Sequence, residues 1–318
     1  MCYSAQVEAG YKKYVREWGA DISIHEFFRL YWEGASNSRI KMPKAMDAAF
    51  ANPQTDTERE IKKAIDQRNA DQVVKLEQDI FKQKKRLADA ERTLQTTKKA
   101  VEDKRIAGEK IEWSLGKLAD IRRSELTSED SRIFPGWYAP VMVMENGRRV
   151  VRPMRYQCRP AGKPAMNDVK FPGTYNTRRD SLGSYWKDLF GYSHGIMIAS
   201  AFFENVSLHA MQHRELAPGK KEQNVILEFR PQPAHDMLVA CLWSHWKGGP
   251  GEPELLSFAA ITDEPPAEVA AAGHDRCIIP IKPENIDAWL NPDPNNLAVQ
   301  YAILDDRWRP YYEHRMAA

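Results

Sequence analysis

The chain has 318 residues, of which 42% are hydrophobic and 10% aromatic, enough to bury the core of one large domain or two small ones. Its 46 basic residues nearly balance its 44 acidic ones and leave a net charge of +2, which excludes a protein that attracts nucleic acid through an overall positive field. Any DNA-binding surface must therefore be a local patch.

Neither targeting signals nor metal-binding patterns stand out in the sequence. The first residues lack the basic start and apolar run of a signal peptide, and no apolar stretch is long enough for a membrane span. The cysteines are widely spaced, and no pair has the CxxC spacing of a zinc ribbon or a redox motif. We expect a cytoplasmic protein with reduced thiols and with no metal ion or cofactor.

The first third of the chain is predicted to be helical. Residues 7–33 have a helical pattern, with Ser23 as an N-cap and Glu26 three residues later to complete a capping box. Residues 54–107 contain no Gly and no Pro and predict one long helix of about 80 Å at 1.5 Å per residue.

This long helix carries only a weak coiled-coil signal. Apolar residues recur every seven positions from Val73 to Val101, but half of the complete seam is polar. Gly108 is expected to end the helix. Apolar residues between Ile111 and Ile121 then predict a second, shorter helix that folds back as a hairpin.

Beyond residue 130 the sequence changes to short β-type runs. Asn146-Gly147 predicts a hairpin turn, since both residues tolerate positive φ, and Pro283 predicts the start of a helix near 283–290. We therefore expect an α+β fold, a single β-rich domain over residues 1–318 with a long, coiled-coil-like helical insertion at 54–125. The predicted strands are 140–145, 148–152, 196–203, 224–229, 237–242 and 256–261.

The most distinctive candidate for chemistry is Cys2. Its side chain is small enough for removal of Met1, which would leave a free α-amine and a thiol two carbons apart. Their ordinary pKa values, about 8 and about 8.5, make both partly nucleophilic at neutral pH. Such an aminothiol can form an imine with an aldehyde and then close a thiazolidine ring. The alternative is an ordinary cysteine in a frayed terminus.

Two further residues are candidates for proton transfer. The apolar strand at 196–203 is followed by Glu204, and a carboxyl in an apolar setting has a raised pKa suited to a general acid. His274 lies in a polar segment and belongs to the residue type that titrates near neutral pH. The alternatives are an exposed charge at a strand end and a structural histidine.

A polar loop at 175–181 and the strand 238–246 also stand out, although an ordinary loop and a core strand would look the same.

In their order along the chain, these features resemble the SOS response-associated peptidase (SRAP) family. The resemblance covers about residues 1–33 and 134–292, and it leaves out the helical arm and the tail after residue 295. The matching motifs are Met1-Cys2, the Asn-x-Arg of Asn176 and Arg178, the F-[YF]-E of Phe202, Phe203 and Glu204, the Leu-Trp of Leu242 and Trp243, then Thr262, and the His-Asp-Arg of His274, Asp275 and Arg276.

The resemblance implies a β-rich fold whose active site lies in a positively charged groove. It implies an enzyme that removes its own first methionine and senses abasic sites in single-stranded DNA, to which Cys2 links covalently. Asn176 would hold the N-terminal residue, and Glu204 would shuttle protons at the sugar. His274 would help to open the sugar ring and later to reverse the link. The implied DNA-pocket residues are Arg178, which would bind phosphate, and Thr262.

Two departures from the family pattern affect the expected DNA contacts. The Cys-Gly-Arg start is replaced by Cys2-Tyr3-Ser4, and a Trp-Gly-x-x-Pro-x-Trp segment is replaced by 156–160. Arg155, Arg159 and Arg179 are therefore expected to supply the missing phosphate contacts. The bound protein would then be associated with the nucleoid.

Two other functions remain open at this point. One is a peptidase that only processes itself or peptides and does not crosslink DNA. The other is a DNA-associated scaffold whose helical arm binds a protein partner. The scaffold predicts that Cys2 is dispensable, whereas the crosslinking enzyme requires it.

Overall fold

One mixed β-sheet organises the protein in a computed structural model that describes residues 3–93, 97–212, 214–216, 219–249 and 252–317. Thirteen strands of these described residues join the sheet, and its main path runs β12-β9-β10-β5-β4-β7-β1-β3. The strands are β1 (Ser4–Val7), β2 (Asp21–Ile22), β3 (Arg132–Ile133), β4 (Tyr138–Glu145), β5 (Arg148–Tyr156), β6 (Asn176–Arg178), β7 (His194–Ser207), β8 (Asn224–Gln232), β9 (Met237–Trp246), β10 (Leu255–Asp263), β11 (Cys277–Ile278), β12 (Pro280–Ile281) and β13 (Tyr311–Met316).

Helices lie before, within and after this sheet in the sequence. Among the described residues, none of them is long and apolar enough to cross a membrane. The helices are α1 (Tyr11–Trp18), α2 (Ile24–Ser36), α3 (Lys44–Ala48), α4 (Asp56–Thr93), α5 (Lys98–Arg122), α6 (Asn167–Lys170), α7 (Leu208–Met211), α8 (Ala267–Ala271), α9 (Ile286–Leu290) and α10 (Leu297–Asp305).

The long strand β7 is the centre of the fold. It pairs antiparallel with β1, β4, β8 and β9, and most of its side chains are buried because its run of apolar residues contributes to the hydrophobic core. All six predicted strands are confirmed. The predicted hairpin turn is confirmed as well, with φ of 49° at Asn146 and 76° at Gly147. The α+β fold class is therefore confirmed.

The helical prediction for residues 7–33 is only partly correct. The chain first forms β1, and β2 separates α1 from α2. Ser23 does precede α2, but its side chain makes no capping hydrogen bond, so the predicted capping box is wrong. Glu26 instead forms an ion pair with Arg152 on β5, and this tertiary contact removes it from the local cap.

The arm differs from the predicted single helix over 54–107. The first helix ends at Thr93 and the second begins at Lys98, with the Thr97 side chain accepting a hydrogen bond from the Ala100 amide at 3.2 Å. Gly108 lies inside α5, because one helical glycine costs only about 1 kcal/mol and does not end a helix. The second helix folds back along α4 as predicted, and Arg86 Nη2 lies 2.6 Å from Asp103 Oδ1. The turn lies between Thr93 and Lys98, however, so its predicted position at Gly108 is wrong.

The base of the arm belongs to the main core. Ile61 and Ile65 are buried in the same hydrophobic cluster as the sheet, and Tyr11 donates a hydrogen bond to Glu58. Further out, Leu76 and Leu118 join a separate small cluster that holds the two helices together. Only the distal part of the arm is therefore structurally independent of the β-rich domain.

Candidate functional site

The candidate site forms where the N-terminal strand meets the end of β7. Ser4 lies opposite Phe203 in the antiparallel β1–β7 pair, and the Tyr3 amide donates to the Phe203 carbonyl at 3.3 Å. This register brings Tyr3, the first described residue, alongside Glu204, the next residue on β7. The predicted nucleophile Cys2 and the preceding Met1 lie outside the described residues.

Glu204 and His274 contact each other at this place. Glu204 Oε2 lies 3.1 Å from His274 Nε2, with the Glu204 side chain fully buried and the His274 side chain 8% exposed. Burial raises the pKa of Glu204 to about 8 and lowers the pKa of His274, because desolvation penalises the charged form of each. Both groups are therefore mainly uncharged at neutral pH.

The backbone of Arg276 holds the other side of the His274 ring. His274 Nδ1 lies 2.8 Å from the Arg276 carbonyl oxygen and 3.3 Å from the Arg276 amide nitrogen. Nε2 therefore remains on the side of the Glu204 carboxyl. A buried carboxylic acid beside an uncharged imidazole can deliver a proton to a reacting group and recover it later.

The backbone around His274 is built to place the ring there. Gly273 has a φ of 93°, a conformation that other residues rarely adopt, and it joins α8 to the segment containing His274. The chain then enters β11, where Ile278 pairs with Thr262 on β10. The sheet thus fixes both sides of the contact, with Glu204 on β7 and His274 just before β11.

Asn176 lies on β6, which pairs with β10, and Thr262 lies on β10 itself. Asn176 is opposite Ala260 in the parallel β6–β10 pair, and its Oδ1 accepts a hydrogen bond from the Tyr156 hydroxyl at 3.2 Å. Thr262 is fully buried and its hydroxyl donates to the Thr177 carbonyl at 3.3 Å. Thr262 therefore holds β6 against β10 and offers no exposed surface to DNA, in contrast to its expected place in the pocket.

Arg178 is the exposed arginine among the predicted DNA contacts. Its side chain is 53% exposed and binds Asp180 through two hydrogen bonds of 3.2 and 2.8 Å. Arg276, two residues after His274, lies 3.9 Å from the same Asp180 carboxylate, so Arg178 is near the segment that carries His274. Exposed ion pairs contribute only about 0–1 kcal/mol, and a phosphate can compete with Asp180 for Arg178.

The other predicted DNA contacts are engaged inside the protein. Arg155 Nη2 lies 2.9 Å from Asp168 Oδ2, and Arg159 pairs with the same carboxylate and covers the Trp246 ring at 4.4 Å. Arg179 contacts the carboxylates of Asp263 and Asp305. These contacts give all three arginines structural partners among the described residues.

Sequence reasoning missed Arg132. Its Nε donates to Ser4 Oγ at 3.0 Å and its guanidinium lies 3.7 Å from the centre of the Phe203 ring. The side chain is 6% exposed. An arginine thus occupies the space beside Ser4, the position at which the family pattern has an arginine and this sequence has serine. The β1–β3 pairing that brings the two together leaves no signal in the sequence.

The remaining cysteines are poor nucleophiles. Cys158, Cys241 and Cys277 are free thiols and all three are buried. Burial raises the pKa of Cys158 to about 12 and raises the pKa values of Cys241 and Cys277 further. None of these three supplies thiolate at neutral pH.

A family model described as "SOS response associated peptidase (SRAP)" matches residues 91–316, more than two thirds of the chain. The chain therefore belongs to the SRAP family, which associates it with the response to DNA damage. None of the curated proteins matches the sequence.

Three solved structures are similar to this one. A protein from Bordetella bronchiseptica is 15% identical with a TM-score of 0.46, over 62% of this chain and 90% of that one. A protein from Bacteroides thetaiotaomicron is 12% identical with a TM-score of 0.47, over 59% and 78%. A phage-related protein from Bordetella bronchiseptica is 18% identical with a TM-score of 0.43, over 62% and 85%.

Proposed function

We propose that the protein senses abasic sites in single-stranded DNA and links to them covalently through Cys2, after it has removed its own Met1. The observation that supports this most directly is the buried Glu204–His274 contact beside the first described residue of the chain. Proton-transfer groups at that place serve a reaction at the N-terminus and would have no purpose at an inert strand end.

The choice of nucleophile rests on elimination and on chemistry. The other three cysteines are buried and have raised pKa values, whereas Cys2 immediately precedes Tyr3, whose side chain is exposed. Only an N-terminal cysteine has an amine and a thiol on adjacent carbons. Cys2 therefore has two nucleophiles for a single electrophilic carbon.

The proposed reaction starts from the ring-opened abasic sugar, which has a free aldehyde. The Cys2 amine adds to the aldehyde carbon and expels its oxygen as water, which leaves an imine. The Cys2 thiol then adds to the imine carbon while the nitrogen takes up the thiol proton, and the thiazolidine ring closes. Glu204, with its pKa of about 8, is suited to protonating the departing oxygen. General acid catalysis of this kind typically contributes 10²–10⁴-fold, so about 100-fold is the smallest effect to expect.

The first step is hydrolysis of the Met1–Cys2 peptide bond, which consumes one water and releases methionine. It exposes the amine that the later reaction needs. Intact-mass measurement of purified protein should therefore show a chain that lacks one methionine. A crosslinking protein that retains Met1 would contradict the aminothiol mechanism.

The decisive test is a denaturing gel with DNA that contains one abasic site. The wild type should form a heat-stable adduct, because ring closure joins two linkages that are each labile alone. Cys2→Ala should form none, and neither should a variant with one residue added before Cys2, in which the amine becomes an amide. Cys158→Ala serves as a matched control and should still form the adduct. A heat-stable adduct of Cys2→Ala would overturn the proposal.

The same gel separates the other candidate functions. A self-processing peptidase would lose Met1 but form no adduct with any DNA. A scaffold would bind DNA equally well with and without Cys2, and would form no adduct. The buried acid at Glu204 favours the crosslinking enzyme, since a scaffold would not need it.

A further inference from the structure

The distal half of the helical arm has a charge unlike the rest of the chain. Residues 82–105 contain nine basic and four acidic side chains, although the whole protein has a net charge of only +2. The remainder of α4 and α5 contains eight basic and ten acidic side chains. Positive charge is therefore concentrated at the end of the arm that is farthest from the sheet.

Part of this charge lines a groove between the two helices. The groove has a volume of about 480 Å³, and Lys82, Lys85 and Lys99 lie along it. Ala90 and Ala100, both buried, also line the groove, and their small side chains leave it open.

The three groove lysines are not neutralised by the protein. Other basic residues of the tip have carboxylate partners, for example Arg86 with Asp103 at 2.6 Å. Lys82, Lys85 and Lys99 are exposed and form no ion pair among the described residues. The two carboxylates that line the groove, Asp89 and Asp103, pair with Arg92 and Arg86. The three ammonium groups therefore attract a ligand with several negative charges along its length.

The chemistry of the groove favours nucleic acid over a membrane surface or a protein partner. Apart from the alanines, charged and polar side chains line it, whereas a membrane surface or a protein hot spot would require larger apolar or aromatic groups. The chain also belongs to a family associated with DNA damage. Lys85 lies 29 residues beyond the start of α4, about 44 Å along the helix at 1.5 Å per residue.

We propose that this groove binds the phosphate backbone of DNA, as a second contact that is separate from the site at Glu204. The arm then holds a strand at a distance from the reacting sugar and requires no particular base sequence, because lysines at phosphates do not read bases. This surface goes beyond the proposed crosslinking reaction and does not depend on it.

The test compares two triple variants of the full-length protein. The groove variant is Lys82→Gln, Lys85→Gln and Lys99→Gln. The matched control is Lys63→Gln, Lys75→Gln and Lys110→Gln, which removes three exposed arm lysines that have no ion pair among the described residues and lie outside the groove. Fluorescence anisotropy would measure binding to an undamaged 40-nucleotide single strand over a range of salt concentrations.

The groove variant should bind more weakly, and the slope of log K against log salt should decrease by about 2, at roughly 0.7 per released phosphate contact. The control should keep the wild-type slope. Equal slopes for the two variants would overturn the proposal. Loss of binding to vesicles of anionic lipid, with DNA binding intact, would also overturn it and assign the groove to a membrane surface.

The crosslinking gel keeps this inference distinct from the proposed function. With an abasic strand of only a few nucleotides, shorter than the roughly 44 Å from the start of α4 to Lys85, the groove variant should form as much adduct as the wild type. A DNA-binding defect with normal adduct formation supports the groove. Absence of an adduct in all proteins, including the wild type, would reject the crosslinking proposal and leave the binding result standing.

Discussion

His274 Nε2 lies 3.1 Å from Glu204 Oε2, although the two residues are seventy positions apart in the chain. The contact joins the end of β7 to the segment that precedes β11. Burial raises the pKa of the Glu204 carboxyl to about 8 and so keeps it mainly protonated at neutral pH. The carboxyl is therefore able to donate a proton at neutral pH.

The raised pKa of Glu204 predicts a pH-dependent stability. The Glu204 carboxyl has its usual pKa of 4.5 in the unfolded chain and a pKa of about 8 in the folded chain. The contribution of the neutral carboxyl to stability is therefore complete below pH 4.5 and is lost as the pH rises through 8. Between pH 7 and 8 the free energy of unfolding should fall by up to about 1.4 kcal/mol, and in Glu204→Gln this fall should disappear. His274 contributes little in this interval, because its lowered pKa affects stability only below its usual 6.5.

Thermal or urea unfolding at pH 7 and pH 8 would measure the effect. Glu228→Gln is a matched control on the neighbouring strand β8, because ion pairs with Arg230 and Arg315 lower the pKa of Glu228 although burial opposes them. It should keep the wild-type fall in stability. Glu204→Gln should also slow adduct formation about 100-fold or more. Normal adduct kinetics and an unchanged pH dependence would make Glu204 an ordinary buried residue.

Arg132 is predicted to position the first strand. Arg132→Gln should slow adduct formation about tenfold, since the loss of 1–1.5 kcal/mol from a hydrogen bond and a ring contact leaves Ser4 and the preceding residues less well held. Arg132→Lys should restore part of the rate. Gel time courses with abasic DNA would measure both rates.

A destabilised control separates positioning from general stability. Tyr14→Phe removes two buried hydrogen bonds, one donated to the Pro140 carbonyl and one accepted from the Ile198 amide, which precedes Glu204 by six residues on β7. It should lower the melting temperature without changing the rate of adduct formation. Equal rates for Arg132→Gln and Tyr14→Phe would show that Arg132 has only a structural role.

The predicted DNA-binding arginines should divide into two groups. Arg178→Gln should leave the melting temperature unchanged, because the side chain is exposed, and should reduce the salt dependence of binding to a short single strand by about 0.7. Arg159→Gln should lower the melting temperature, because it removes a partner of the largely buried Asp168, and should leave DNA binding intact. The reverse pattern would place the DNA strand over Asp168.

The distal arm should be dispensable for the chemistry. Replacing residues 81–113 with a short glycine-rich turn keeps Ile80 and Leu118 in their cluster and should leave adduct formation on a short abasic strand unchanged. Removing all of 54–125 should instead lower stability by several kcal/mol, since Ile61 and Ile65 leave the main core. Adduct assays and melting curves of the two deletions would check both expectations. A folded 81–113 variant without activity would mean that the distal arm builds the site.

The sequence was sufficient to predict the main strands and the hairpin turn because these depend on local patterns. The run 196–203 is apolar throughout, and Asn146-Gly147 suits only a tight turn.

The ends of the helices in the arm were predicted less well. A helix of this composition has no strong internal stop, so its sequence predicts an end at Gly108, whereas in the structure Thr97 caps a new helix eleven residues earlier. Helix ends in such segments depend on pairing with the other helix, which local sequence does not specify.

The sequence by itself determined the chemistry available to the protein, a cysteine after Met1 and the ordered motifs that contain Asn176, Glu204 and His274. Only the tertiary structure decided which of these residues meet. It brought Glu204 to His274 and placed Arg132 beside Ser4. It also buried Thr262 and paired Arg155 and Arg159 with Asp168. The reason is that contact and burial set the pKa of each group and give each charged side chain its partner. Both depend on strand pairing between distant segments, whereas residue type is fixed at its own position.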